Sequence, residues 1–288
     1  MTAPATLRLG RFALPLDRPL IMGVVNVTPD SFSDGGQFFG AEAAIAHAQA
    51  LVREGADLLD VGGESTRPGS LPVAAAEELR RVIPVIEGIV GLGVPVSVDT
   101  TKPSVMRAAV ASGAAMVNDI LALRTPGAIE AVAASGAGVC LMHMQGEPRT
   151  MQANPSYDDV VSEVRAFLAA RVRACEAAGI ARDRVVVDPG FGFGKTAEHN
   201  LALLRGLPAL ASLGVPVLAG LSRKSTLGQI TGRAIDERLA ASVAAGLLAV
   251  ERGARILRVH DVAATRDALA VLNAVQGMPP RGIDLARS

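Results

Sequence analysis

Polar side chains able to bind or polarise a ligand stand at the ends of apolar runs in this chain. Asn26 closes IMGVVN, Asp99 closes VPVSVD, Asn118 lies one residue before the end of AAMVND, and Asp188 closes RVVVD. Ser222 closes VPVLAGLS, and Arg258 and His260 close RILRVH. Each is costly at the edge of a core unless something pairs with it. Their recurrence, run after run, points to a shared ligand. Asp99, Asn118, Asp188 and Lys224 offer carboxylate acceptors, an amide that both donates and accepts, and an ammonium donor. That set suits a flat heterocycle with an exocyclic amine, ring N–H groups and a carbonyl, because a carboxylate accepts two parallel hydrogen bonds from an amidine-like edge. Asn26, Arg67, Arg258 and His260 form a second set, suited to a diphosphate. Arg258 and His260 are two apart on an extended run and so share a side, and Asn26 offers an oxygen to Mg²⁺, which commonly takes few protein ligands.

Simpler roles stand beside these. Asp99 could cap a helix starting near Lys102-Pro103, Asp188 could shape the turn at Pro189-Gly190, Arg258 could pair with Glu64 inside the core, and His260 could be a core histidine. His47, His143 and His199 carry no pattern of their own. No H-x-x-x-H or Cys/His cluster suggests zinc, and no G-x-S-x-G elbow suggests a serine hydrolase.

Eight apolar runs end in polar residues, and the stretches between them have helical spacing, as in Ala41 to Glu54, Glu77 to Ile89 and Tyr157 to Ala178. Gly55, Gly113, Gly179 and Gly253 precede the next run and suit left-handed helix ends. Eight strand–helix units in 288 residues predict a parallel sheet closed into a (β/α)₈ barrel, with an open doubly wound sheet as the alternative. FGFGK (residues 191–195) is neither a dinucleotide fingerprint nor a P-loop. LRLGRFALPLD alternates around Gly10 and predicts a hairpin within residues 1–18 that closes the barrel bottom, while residues 276–288 read as a loose tail. One barrel domain spans the chain on this reading. In a barrel, strand ends and the loops after them form the active face.

Bulk composition narrows the partners. Lys+Arg and Asp+Glu both number 28, so a net charge of zero excludes a general nucleic-acid or membrane-surface binder. The longest apolar run, Leu239 to Val250, is short of the roughly 20 residues that span a bilayer. No signal-peptide pattern opens the chain. Cys140 and Cys175 sit in apolar runs and read as buried reduced thiols, so a cytoplasmic location is expected.

NVTPDSFSDGG (residues 26–36) resembles the first strand and loop of dihydropteroate synthases. DVGGESTRPGS, VDTTKP, MVNDI, MHMQGEPRTMQ, DPGFGFGK, LSRKS and RVHDV follow in that family's order, so the resemblance covers roughly Ile21 to Val275. It implies condensation of 6-hydroxymethyl-7,8-dihydropterin diphosphate with para-aminobenzoate, giving 7,8-dihydropteroate and diphosphate. By the same resemblance Asp99, Asn118, Asp188 and Lys224 hold the pterin, and Asn26, Thr66, Arg67, Arg258 and His260 hold Mg²⁺ and diphosphate, with Asn26 as the metal ligand. Phe32, Thr66, Arg67, Pro68, Phe191 and Ser222 surround the aminobenzoate. Asp30 and Arg67 join Asp99, Lys224, Arg258 and His260 in the catalytic set, on loops expected to close over the site. Sulfonamide binding and a homodimer are also implied. Thr226 departs from the family, which often has a bulkier apolar residue there. A pterin-dependent methyl transferase and a non-catalytic paralogue are the competing readings; the first needs no diphosphate clamp, and the second would show damaged loops.

Overall fold

The computed structural model describes residues 6–27, 37–65 and 70–277. Eight parallel strands close into a barrel: β3 (Leu20–Asn26), β4 (Leu58–Gly62), β5 (Val96–Asp99), β6 (Met116–Asp119), β7 (Gly138–Met142), β8 (Val185–Asp188), β9 (Val217–Ala219) and β10 (Ala254–Val259), which returns to pair with β3. They are the eight runs read from the sequence, and the open-sheet alternative is excluded by the β10–β3 pairing. Before them, β1 (Thr6–Leu9) and β2 (Phe12–Pro15) form an antiparallel hairpin. Helices α1 (Gln37–Glu54), α2 (Ala75–Ile89), α3 (Pro103–Ala111), α4 (Ala128–Ala133) and α5 (Val160–Ala177) connect successive strands up to β8. After β8 come α6 (Ala197–Arg205), α7 (Leu207–Ala211), α8 (Ser225–Thr231), α9 (Leu239–Glu251) and α10 (Val262–Val275). Helix α5 starts at Val160 rather than Tyr157, because the Asp159 carboxylate caps it by accepting from the Val161 and Ser162 N–H groups. The four glycines expected at helix ends all have positive φ.

Strand parity divides the core in two. Ile21, Leu59, Val61, Val98, Val117, Val139, Val187 and Leu257 face outward into the layer between barrel and helices. Leu20, Met22, Leu58, Met116, Cys140, Val186, Leu218 and Ile256 face inward and pack with Leu7 and Leu9 of the hairpin. The hairpin therefore plugs the barrel bottom, and it approaches closely: a Cβ on Gly138 would lie 2.3 Å from Leu9 Cδ2. Two residues further along the same inward series come Asp60, Asn118, Asp188 and Arg258. The interior turns from apolar to polar on moving from the hairpin end to the C-terminal mouth. That gradient positions the site.

Candidate active site

At the mouth, Arg258 reaches across the barrel. Its Nε donates to Asp60 Oδ2 at 2.7 Å and its Nη2 to Asp99 Oδ2 at 3.1 Å. Asn118 Nδ2 donates to that same Asp60 oxygen at 3.0 Å. Asp60 is fully buried, and its other oxygen, Oδ1, is a buried acceptor without a hydrogen-bond partner among the described residues. Asp60 was not singled out from the sequence, since it lies inside the run LLDVG rather than at its end. A charged residue within so apolar a run was the available signal.

Asp99 does not cap α3, which begins after Lys102 with no side-chain cap; it is turned to Arg258 instead. Arg258 does not pair with Glu64, which is taken by Lys102, and Lys102 also holds the buried Glu78 at 2.5 Å. Asp188 does shape its turn, with Oδ1 accepting from the Gly190 N–H at 2.7 Å. Carboxylate oxygens have two lone pairs each, so that bond leaves acceptor capacity for a ligand edge.

Charge is crowded here. Burial raises Asp99 to about 7, Asp60 adds repulsion, and Arg258 offsets only part of this because one guanidinium serves two carboxylates. Burial likewise raises Asp188, against the Gly190 N–H, Lys224 and Arg258. Such displaced carboxylates are common where a ligand completes the pairing.

His260 lies just beyond β10. Its Nδ1 is 3.0 Å from Ser222 Oγ, so the two residues meet although they were read into different ligand pockets. Burial, with Arg258 and Arg223 nearby, lowers the imidazole to about 4. In the tautomer whose Nδ1 accepts from Ser222, the Nε2–H is left to donate to an anion. Asn26 ends β3 with an exposed side chain. A single exposed amide oxygen fits a cation that takes most of its shell from phosphate and water. Among the described residues there is no cluster of three or more His, Cys, Asp or Glu that could hold a metal.

Lys224 follows Arg223, which has φ 59°, and its Nζ lies 4.3 Å from the centroid of the Phe193 ring. Phe193, not singled out from the sequence, packs with Ile120, Met142, Met144 and Met151 as an apolar wall at the mouth. Phe191 behaves differently: it is 2% exposed and belongs to the barrel–helix layer. Thr226, the departure from the family pattern, is buried, and its Oγ1 accepts from Asn200 Nδ2 at 3.0 Å while Asn200 Oδ1 accepts the Gly192 N–H. Asp30, Phe32, Thr66, Arg67 and Pro68 lie outside the described residues, as does the tail beyond Gly277.

The turn after Asn118 is strained. Ala122 and Leu123 both have positive φ, 53° and 55°, a conformation that costs non-glycine residues of order 1 kcal/mol each. Asp119 holds it by accepting from the Leu121 and Leu123 N–H groups, and Arg171 donates to the Ala122 and Leu123 carbonyls.

Comparison with known proteins agrees with this geometry. The family described as "Pterin binding enzyme" matches residues 22–260. A dihydropteroate synthase of Neisseria meningitidis serogroup B is 55% identical over 273 residues, 92% of this chain and 96% of its own. The chain belongs to the dihydropteroate synthase family. Solved members superpose closely. A Xanthomonas albilineans dihydropteroate synthase with 4-aminobenzoic acid has a TM-score of 0.89 at 60% identity, covering 95% of this chain and all of that one. A Burkholderia cenocepacia dihydropteroate synthase complexed with 7,8-dihydropteroate has a TM-score of 0.88 at 54% identity, covering 96% and 98%.

Proposed function

We infer that this protein condenses 6-hydroxymethyl-7,8-dihydropterin diphosphate with para-aminobenzoate to give 7,8-dihydropteroate in folate biosynthesis. The observation that carries this reading is the constellation of buried Asp60, Asn118 and Asp188 with half-buried Asp99 and Arg258 at the mouth of a family barrel. Its donors and acceptors suit the pterin edge, with Lys224 beside them on Phe193. Neutral His260 with Ser222, and Asn26, suit the diphosphate end.

In the reaction the bond from the pterin CH₂ to the diphosphate oxygen breaks, and diphosphate leaves with the electron pair. The aryl amine nitrogen forms the new C–N bond and then loses a proton to solvent. The electron-rich ring stabilises cationic character at the CH₂, so ionised Asp99 beside it favours the transition state electrostatically. Arg258, drawn between the Asp60 and Asp99 carboxylates, sets where that negative charge sits. Asn26 would hold Mg²⁺; the chemistry a bound Mg²⁺ supplies is charge neutralisation at the leaving group. Alignment of the amine accounts for the remaining acceleration.

A homodimer belongs to this reading. Ile230, Ile235 and Leu239 around the α8–α9 connection, and Val271 and Val275 one turn apart on α10, are exposed apolar side chains suited to a subunit contact. A cytoplasmic setting accords with two buried free thiols, Cys140 and Cys175. The deciding experiment is a coupled diphosphate-release assay. Release that needs both para-aminobenzoate and Mg²⁺ is the expected result; release unaffected by para-aminobenzoate would overturn the assignment.

A further inference from the structure

Lys195 closes the DPGFGFGK segment, and the chemistry above gives it nothing to do. It is 3% exposed. Its Nζ lies 3.0 Å from His143 Nδ1, 3.3 Å from the His143 carbonyl oxygen and 2.9 Å from the Phe193 carbonyl oxygen. An ammonium has three hydrogens to donate, and all three acceptors here are neutral. Burial lowers Lys195 to about 7, with Lys224 adding to the fall and Asp188 opposing it. His143 is itself kept neutral, lowered by burial and then by Lys195 to about 3, and in the tautomer with its hydrogen on Nε2 the Nδ1 lone pair accepts from Lys195. A buried ammonium held by neutral groups is a costly choice. Its position shows what it holds.

The end of β7 and the loop after β8 meet at this point. The His143 N–H donates to the Asp188 carbonyl at 3.0 Å. The His143 carbonyl leaves no room opposite, since a Cβ on Gly190 would lie 2.0 Å from its oxygen. Asp188 takes the Gly190 N–H on its side chain. Further along the loop, Phe193 carries Lys224 on its ring, and the Lys224 stem lies against Gly192, where a Cβ would be 3.2 Å from Cδ. From the far side Tyr157 OH donates to the Gly194 carbonyl at 2.8 Å. The three bonds of Lys195 therefore join the strand end that meets Asp188 to the residue that seats Lys224.

We propose that Lys195 is a positioning residue for pterin recognition: its Nζ contacts lock the Asp188–Lys195 loop to the end of β7, so that Asp188 and Lys224 face one ligand edge together. It acts through His143 and Phe193 and touches no substrate. The inference rests on the reading that Asp188 and Lys224 receive the pterin.

Lys195→Met keeps the length and apolar stem but removes the donors. The KM for the pterin diphosphate should rise at least about tenfold, the scale of losing the hydrogen bonds that hold the loop, while the aminobenzoate KM stays within about twofold. A merely structural role would lower the active fraction, and so the apparent kcat, without moving the pterin KM. A second pair covers the case of a poorly folded variant. His143→Leu removes one acceptor and should raise the pterin KM about fivefold, whereas His143→Gln supplies an amide oxygen and should restore it to within about twofold. An unchanged pterin KM in folded Lys195→Met, or equal effects of Leu and Gln at 143, would overturn the proposal. Asp188→Asn separates the two levels: calorimetry with the free pterin alcohol should show about a tenfold loss. No loss there removes Asp188 from the site and the proposal with it; a loss there beside an inert Lys195→Met sinks the proposal alone.

Discussion

Asp60 and Asp99 share one guanidinium, and the consequences can be read residue by residue. Asp60→Asn keeps the shape but lets an amide N–H₂ face the Asn118 amide and the Arg258 guanidinium, donor against donor. Pterin affinity should fall by at least about tenfold, since a hydrogen bond to a charged group contributes about 1.5–3 kcal/mol. Calorimetry on the folded variant tests this, and unchanged affinity would remove Asp60 from any part in ligand binding. Arg258→Ala is a further consequence of the same geometry. That change leaves two close carboxylates without their cation, so it should destabilise the fold, whatever it does to ligand binding. Asp99 makes a separate prediction through pH. Its value in the folded protein, about 7, lies above its ordinary 3.8. The unfolded chain therefore releases this proton first as pH rises. Asp99's contribution to stability is full below about pH 4 and is lost as pH climbs to about 7. Activity should run the other way, with kcat/KM rising through pH 7 as the carboxylate ionises and favours the cationic transition state. Asp99→Asn should remove both trends; a kcat/KM limb near pH 7 that survives in Asp99→Asn would assign it to another group.

At the scale of elements, the hairpin is the piece whose removal should be felt farthest from the chemistry. Leu7 and Leu9 are fully buried against the inward side chains of the barrel strands, and the Gly10 N–H donates to the Gly136 carbonyl at 3.0 Å. Leu9→Ala should cost about 2–5 kcal/mol, the usual range for a buried leucine truncation with a residual cavity. Denaturant unfolding measures it; a loss under about 1 kcal/mol would mean that the hairpin merely covers the barrel and does not plug it. Strands were legible because each run is apolar on both faces, as a parallel sheet covered by helices requires. Helix ends were legible where chemistry marks them, as with Gly55 and Gly253. Parity inside the strands was harder to read. Asp60 belongs to the inward series only once the barrel closes, and nothing in LLDVG says which face meets the interior. Phe191 and Phe193 differ by two residues in an irregular loop with φ +70° at Gly190 and +80° at Gly192, so alternation could not tell which ring enters the mouth and which joins the outer layer.

For the whole molecule, the sequence conveyed a neutral, apolar-rich chain, and the barrel shows where that apolar surplus goes. Most of it fills the two core layers, yet α8 to α10 still present Ile230, Ile235, Leu239, Val271 and Val275 to solvent, Val275 at 81% exposure. Scattered exposed apolar residues are ordinary on a monomer, but these fall on the final quarter of the barrel wall, where α9 packs beside α10. With formal charge balanced at zero, no strong net repulsion opposes self-association. A second copy of the chain, related by a two-fold axis, is the occupant that would bury such a patch against itself. Sedimentation should therefore report twice the 29.5 kDa chain mass. The double change Ile235→Lys with Leu239→Glu puts buried charge into that contact and should shift the protein to the single-chain mass. Both side chains are exposed and neither belongs to the hydrogen-bonded Asp60–Arg258 constellation, so pterin affinity should persist in the dissociated form. A wild-type protein that sediments as a single chain at tens of micromolar would sink the dimer, as would a double variant that remains fully associated.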